Sequence, residues 1–292
     1  MQAFRYKKLD AFTSDGSLGN PAAVLYLPSG QKLSESDMLD IARQHKGFVS
    51  EVIYCAQNAD SITLTYYSSE CEVDFCGHGT IACMYSLIKE TPELLLQKEI
   101  CIHTNKKGDL TVFNKIQELD AVFITAPLPA YFGTDLNPCA VSQHLGVAIE
   151  KIHMERPIDI IDAGLSTLIV PITDLNTEIS IFPDIDRLKE FCIANNMDII
   201  VIYSLDVADK GCIAHTRVFA PKFGYLEDPA TGSGNSAFGY YMLKYGLWDG
   251  SDCQIEQGGY DRMYNSIRLS SLNGRVLFGG GATIRIDGIY YI

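Results

Sequence analysis

Residues 76–89, CGHGTIACMYSLIK, and residues 231–244, TGSGNSAFGYYMLK, are two copies of one pattern, GxGxxAxxYxxxK. At an offset of 155 residues Gly77 meets Gly232, Gly79 meets Gly234, Ala82 meets Ala237, Tyr85 meets Tyr240 and Lys89 meets Lys244. Upstream, Glu72 meets Glu227. Each copy follows strand-like sequence and opens a helix-like run. Repetition on this scale points to two halves built on one plan, pseudo-twofold related domains that could face each other across a cleft.

The chemistry of the motif explains why a chain would carry it twice. Glycine lets backbone approach a ligand closely, and the first N–H groups of a helix have no partner within it. Helped by the helix dipole, those groups make a seat for an anion such as a substrate carboxylate. The competing explanation is that GxG only permits tight packing of helix on strand. Either copy alone fits packing slightly better, whereas the matched pair favours a ligand seat formed by Gly77, Gly79, Gly232 and Gly234. The first copy lacks the GxGxxG spacing of dinucleotide sites, and no phosphate-loop Lys-Ser/Thr follows either copy, which disfavours nucleotides.

Outward from the repeat, strands are predicted at Phe4–Leu9, Ala22–Leu27, Val49–Tyr54 and Ser61–Tyr67, with a helix from Ser34 to His45. Ser34 caps that helix with Asp37 three residues on, and Leu33 stands in front as a staple residue. Further strands are expected at Glu99–His103, Asp109–Phe113 and Asp120–Ile124. Ala126–Pro138, with three prolines, reads as a linker. Beyond it a strand at Thr167–Ile172, a helix at Ile185–Ala194 and strands at Ile199–Ser204 and Cys212–Phe219 lead to the second motif. From Cys253 onward the chain reads as strands separated by QGGYDRMYN, LNG and FGGGA. Strands outnumber helices without strict alternation, so the fold class is α+β. The domains are residues 1–128 and 129–292, the last strand being free to cross to the first.

The chain has 292 residues, 47% hydrophobic and 20% charged, and a mean hydropathy of +0.06. Such a chain buries a real core without staples, and its composition excludes disorder and collagen-like repeats. No uncharged run reaches the ~18 residues of a membrane span, and MQAFRYKKLD has no apolar run behind its basic residues, so the expectation is a soluble cytoplasmic protein. With 23 Lys and Arg against 36 Asp and Glu, the net charge is −13. That surface repels nucleic acid and anionic membranes. Nine cysteines, an odd number, suggest reduced thiols. Cys71, Cys76, His78 and Cys83 invite a zinc reading, but without a CxxC pair the preferred reading is small buried thiols and no metal.

Glu51 lies in the strand-like GFVSEVIYC. Alternation places it on one face with Val49 and Ile53. There it either faces a cleft, where burial would raise its pKa towards a general acid/base, or sits on an edge strand facing water. His78, inside the first glycine segment, points at whatever the helix N-terminus faces, or is a hydrogen-bonded surface group. Asp228 opens DPATGSG, where capping competes with catalysis. Ser233 occupies the position matching His78.

These segments, with DAFTSDGSLGNPAAV, the Ser-Glu of VSEVIY, RVFAP, QGGYDRMYNSI and the final GGGA, are similar to the PhzF-like family of phenazine-biosynthesis isomerases and their relatives. The resemblance runs from end to end, and CGHGT with EDPATGSG is its specific part. It implies the diaminopimelate epimerase-like fold, two similar domains each with a sheet wrapped around a central helix and the active site between them. It implies catalysis without metal or organic cofactor, and a homodimer. Glu51 matches the family's general acid/base, which in the phenazine enzyme moves a proton during isomerisation of a dihydro-hydroxyanthranilic acid. His78, Asp228 and Ser233 match residues that bind and orient substrate and assist proton transfer. Two-thiol racemases of this fold carry a cysteine at the head of each motif, whereas here the heads are Cys76 and Thr231. An alcohol cannot replace a thiol base, and Cys76 is read as a packed thiol. The expected function is a cofactor-independent isomerase acting on a small carboxylic acid. The alternatives are a binding protein without turnover and a single-thiol epimerase using Cys76.

Overall fold

The computed structural model describes residues 2–14, 16–58, 61–259 and 263–292; Tyr260, Asp261 and Arg262 of the QGGYDRMYN segment lie outside the described residues. Two compact units divide the chain, Met1–Thr125 with Gly279–Ile292, and Ala126–Phe278.

In the first unit β1 (Ala3–Ala11) pairs antiparallel with β2 (Asn20–Leu27), and α1 (Glu35–Gln44) leads to β3 (Glu51–Asn58), parallel to β2. β4 (Ser61–Ser68) returns antiparallel to β3, and β5 (Glu72–Val73) pairs antiparallel with β4. Then come α2 (Gly77–Glu90), the short α3 (Pro92–Leu95), β6 (Glu99–Thr104) parallel to β4, and β7 (Gly108–Lys115) antiparallel to β6. A single turn, α4 (Ile116–Leu119), precedes β8 (Ala121–Thr125), antiparallel to β7.

The second unit begins with β9 (Ala130–Tyr131), α5 (Pro138–Leu145) and β10 (Asp159–Asp162), then β11 (Ser166–Pro171) antiparallel to β10. Helices α6 (Leu175–Ile179) and α7 (Ile185–Ala194) lead to β12 (Ile199–Ser204), parallel to β11. β13 (Ala214–Phe219) runs antiparallel to β12 and to β14 (Glu227–Asp228). After α8 (Gly232–Lys244), β15 (Cys253–Gln257) lies parallel to β13, and β16 (Asn265–Leu272) antiparallel to β15. β17 (Arg275–Gly280) follows, and β18 (Ala282–Tyr291), which belongs to the first unit, pairs antiparallel with β1.

Stage for stage the two series agree. The sequence of pairings from β1 to β7 around α2 recurs from β10 to β16 around α8. Even the two-residue strands β5 and β14 begin on the matched glutamates Glu72 and Glu227.

Both motif helices are buried nearly all round, α2 from Gly79 to Ile88 and most of α8 from Gly232 to Met242. A helix apolar on every side is a core element. Accordingly α2 packs against β1, β2, β3, β8 and β18, and α8 against β10, β11, β12 and β16. Each unit is a sheet wrapped on a central helix. Outside the first sheet α1 covers a second apolar layer including Leu25, Ile41, Val52 and Tyr54. In the second unit a layer including Val141, Leu188, Phe191, Ile200 and Ile202 plays that part. Strands buried on both faces read as continuous apolar runs, as IIVIYS does in β12.

The motif glycines pack tightly. A β-carbon on Gly79 would lie 2.6 Å from Ile53 Cδ1, and one on Gly232 would lie 2.2 Å from the Phe278 ring. Helix α1 forms as its sequence predicts, with Ser34 and Asp37 completing a reciprocal capping box. The supposed linker is more ordered than expected. Ala130–Tyr131 pairs with β10, and Pro138 is the first residue of α5, with Asn137 as its cap. Proline there marks a helix start, because its missing N–H would have no helical partner anyway. Among the described residues no helix is long and apolar enough to cross a membrane, and all nine cysteines are free thiols.

Candidate active site

Helix α2 starts one residue after Cys76, which is its N-cap in extended conformation. The Cys76 thiol sulfur accepts a hydrogen bond from Gly79 N–H at 3.3 Å, taking the place of the usual serine or aspartate oxygen. Thr80 Oγ1 donates to Cys76 O at 2.8 Å and is itself bonded to the buried Tyr66 hydroxyl, which anchors the turn. His78 is the second helical residue, so its ring leaves the helix at the same end as the thiol.

Glu51 enters from β3, where it is the first residue of the strand. Its Oε2 lies 3.3 Å from His78 Nε2 and 3.7 Å from Cys76 Sγ, and Sγ lies 3.5 Å from His78 Nδ1. The Glu51 and His78 side chains keep 21% and 13% of their surface exposed, so the trio is sheltered and still reachable. Burial pushes the Glu51 carboxyl up to about 7, with the Cys76 thiol donating to it and pulling partly the other way. Near neutral pH such a group populates both its acid and its base form.

The structure alters the sequence reading of Val49, Cys76 and Cys71. Val49 does not share a face with Glu51. The strand starts at Glu51, and Val49 packs with Val52 and Tyr54 under α1, while Ile53 faces α2 at Gly79. Cys76 is buried, as a packed thiol should be, yet it also touches both acid–base candidates. The four-residue zinc arrangement does not assemble. Cys71 is exposed beside Ser68, and Cys83 is hydrogen-bonded to Cys55 in the core.

The second motif has its own construction. Asp228 Oδ1 accepts from Ala230 N–H at 3.2 Å, closing the turn before α8. Gln257 threads that turn. Its Oε1 accepts from Thr231 N–H at 3.0 Å and from Asn235 Nδ2 at 2.7 Å, and its Nε2 donates to Asp228 O at 2.8 Å. Asn265 Nδ2 donates to Pro229 O at 2.7 Å. Beside the turn, the fully buried Arg217 holds Glu227 through two nitrogens, at 3.0 and 2.7 Å. Thr231 caps α8 without a side-chain hydrogen bond, and its buried Oγ1 has no partner among the described residues. Ser233 takes the second helical position, as His78 does in α2, with Gly232 and Gly234 on either side.

The first motif therefore gathers Glu51, Gly77, His78 and Gly79, and the second gathers Asp228, Gly232, Ser233 and Gly234. Sequence reasoning missed Gln257 and Asn235 as supports of the second turn. Their only signal was position, at the head of QGG and directly after TGSG.

A family model described as phenazine biosynthesis-like protein, PhzC-PhzF, matches residues 9–288. The chain belongs to this family. Among relatives of this phenazine biosynthesis-like chain is the Bacillus subtilis protein named uncharacterized isomerase YfhB. It is 30% identical over 255 residues that cover 86% of this chain and 85% of that one. The Schizosaccharomyces pombe protein antisense-enhancing sequence 1 is 26% identical over 251 residues, 83% of this chain and 81% of its own. The crystal structure of the Bacillus anthracis PhzF-family protein superposes with a TM-score of 0.84 at 22% identity, covering all of both chains. A hydroxyproline epimerase from Agrobacterium vitis aligns at TM-score 0.56 and 11% identity, over 99% of this chain and 91% of that one. These likenesses carry the fold of the phenazine biosynthesis-like family into the wider epimerase fold.

Proposed function

We propose that this protein is an isomerase that moves a proton between carbons of a small carboxylic acid, with Glu51 as the proton carrier. The observation that supports it best is the Glu51 carboxyl, sheltered at the start of β3 with His78 Nε2 at 3.3 Å and Cys76 Sγ at 3.7 Å. The isomerase names among its relatives point the same way. In this reading the ionised Glu51 takes a proton from a carbon made acidic by its neighbours. The protonated Glu51 then returns it at another carbon, and His78 steers the carboxyl and steadies the charge that develops on the substrate. The substrate carboxylate docks on helix N-terminal N–H groups at the first glycine motif. The proton travels on side chains alone, so the reading needs no cofactor.

The test is proton exchange in D2O. Wild-type protein and Glu51→Gln, both checked for folding, are incubated with a panel of small cyclic and amino-carboxylic acids that includes dihydro-hydroxyanthranilate. Mass spectrometry then reads deuterium uptake. Uptake into one compound with wild type only is the expected result. Equal exchange by Glu51→Gln overturns the role of Glu51. Binding of a compound with no exchange from any acid favours a binding protein.

A second reading, a single-thiol epimerase with Cys76 as a base opposite Glu51, draws support from the contacts of Sγ with Glu51 and His78. Full exchange activity in Cys76→Ser excludes it.

A further inference from the structure

We infer that Glu51, Cys76 and His78 form a binding site for a tetrahedral thiophilic cation such as Zn2+, and that the cation blocks the proton chemistry of the same three groups. The donor set is a thiol, an imidazole and a carboxylate, with all three ligand atoms within 4.8 Å of one another. Zinc bonds of about 2.3 Å to sulfur, 2.05 Å to nitrogen and 2.0 Å to oxygen, at tetrahedral angles, set the distances between ligands. They come to roughly 3.6 Å for S···N, 3.5 Å for S···O and 3.3 Å for N···O. The corresponding distances here are 3.7 Å from Cys76 Sγ to His78 Nε2, 3.7 Å from Sγ to Glu51 Oε2, and 3.3 Å from Nε2 to Oε2. The separations match one face of a zinc tetrahedron to within about 0.2 Å, and since Sγ lies as near to Nδ1, at 3.5 Å, as to Nε2, it sits over the imidazole, so the His78 ring turns to aim a nitrogen lone pair at the ion.

The surroundings suit the metal-bound form as well. The sulfur sits at the N-terminus of α2 and accepts from Gly79 N–H, an arrangement that stabilises a thiolate. Three protein ligands leave the fourth position open, as in exchangeable rather than structural zinc sites. The partial exposure of Glu51 and His78 gives an ion a way in. Binding releases the thiol proton to solvent, along with the carboxyl proton where Glu51 carries one, and forms three coordinate bonds without any change of oxidation state. A Glu51 oxygen bound to zinc cannot ferry protons. The cation and turnover therefore exclude each other.

Co2+ is the probe, because a thiolate bound to tetrahedral cobalt absorbs in the near ultraviolet through charge transfer. Chelator-stripped protein is titrated with Co2+ and then with Zn2+ in competition. The expected result is one equivalent of Co2+ with a charge-transfer band, displaced by one equivalent of Zn2+. Folded Cys76→Ser loses the band, and folded Glu51→Gln and His78→Asn weaken Zn2+ binding about tenfold or more. A variant with Cys71, Cys101 and Cys139, the exposed thiols, all replaced by serine keeps the site. The inference is overturned if wild type takes up no stoichiometric Co2+, if Cys76→Ser keeps the band, or if the exposed-thiol variant loses it. None of these readouts uses turnover, so the metal site stands or falls separately from the isomerase reading, which is tested with chelator present.

Discussion

Replacing Glu51 by glutamine should make the protein more stable at alkaline pH and leave it nearly unchanged, apart from a constant offset, in acid. The reason is the carboxyl's position. Burial raises it from the ordinary glutamate value of 4.5 to about 7, so the folded protein holds this proton more tightly than the unfolded chain does. Its contribution to stability is fully present below pH 4.5, declines through the interval from 4.5 to about 7, and is absent above. At 1.36 kcal/mol per pH unit, the whole interval is worth about 3 kcal/mol. Glutamine has no proton to lose. The stability of Glu51→Gln relative to wild type should therefore climb by about 3 kcal/mol between pH 4.5 and pH 8. Urea denaturation of both proteins at half-unit steps, with chelator in every buffer, measures that difference. The groups facing Glu51 are His78 and Cys76. Both remain in the variant, as does the pH dependence that comes from the net charge of −13, so the shared background largely cancels. A difference that stays flat within about 0.5 kcal/mol, or that falls with pH, refutes the claim that burial controls this carboxyl.

Two further substitutions examine the scaffold. Gly79→Ala should destabilise by about 1–3 kcal/mol despite the better helix propensity of alanine, because the new methyl meets Ile53 Cδ1; adding Ile53→Val, which removes that atom, should recover part of the loss in the same urea assay. Gln257→Leu leaves Thr231 N–H and the Asn235 amide without their acceptor and Asp228 O without its donor and should cost about 2–4 kcal/mol; a loss below about 0.5 kcal/mol in the same assay would mean that the hydrogen bonds to the turn do not matter.

Much of the architecture was legible because its signals are local. The helices at Ser34 and at the two glycine motifs show in caps, spacing and the offset of 155 residues, and the structure begins α2 and α8 at the matched glycines Gly77 and Gly232. Elements with weak local signals were missed. β10 is four residues, α6 is five, and α5 hides behind the proline that starts it. Glu51 was found as a residue, but its face was assigned from an alternation that begins two residues before the strand does.

By itself the sequence determined that the chain is built twice on one plan, and it singled out Glu51, His78, Asp228 and Ser233 as candidates for its chemistry. Composition, periodicity and a repeated motif are properties a linear chain carries openly. Only the tertiary structure decided which groups meet. Cys76 lies 25 positions from Glu51, and no local rule puts a thiol, an imidazole and a carboxyl within reach of one another. Their meeting depends on α2 lying close on β3, which the bare Gly79 permits against Ile53. The same packing withdraws Glu51 from water and so raises its pKa. Proton affinity is a property of surroundings, and surroundings exist only once the chain has folded.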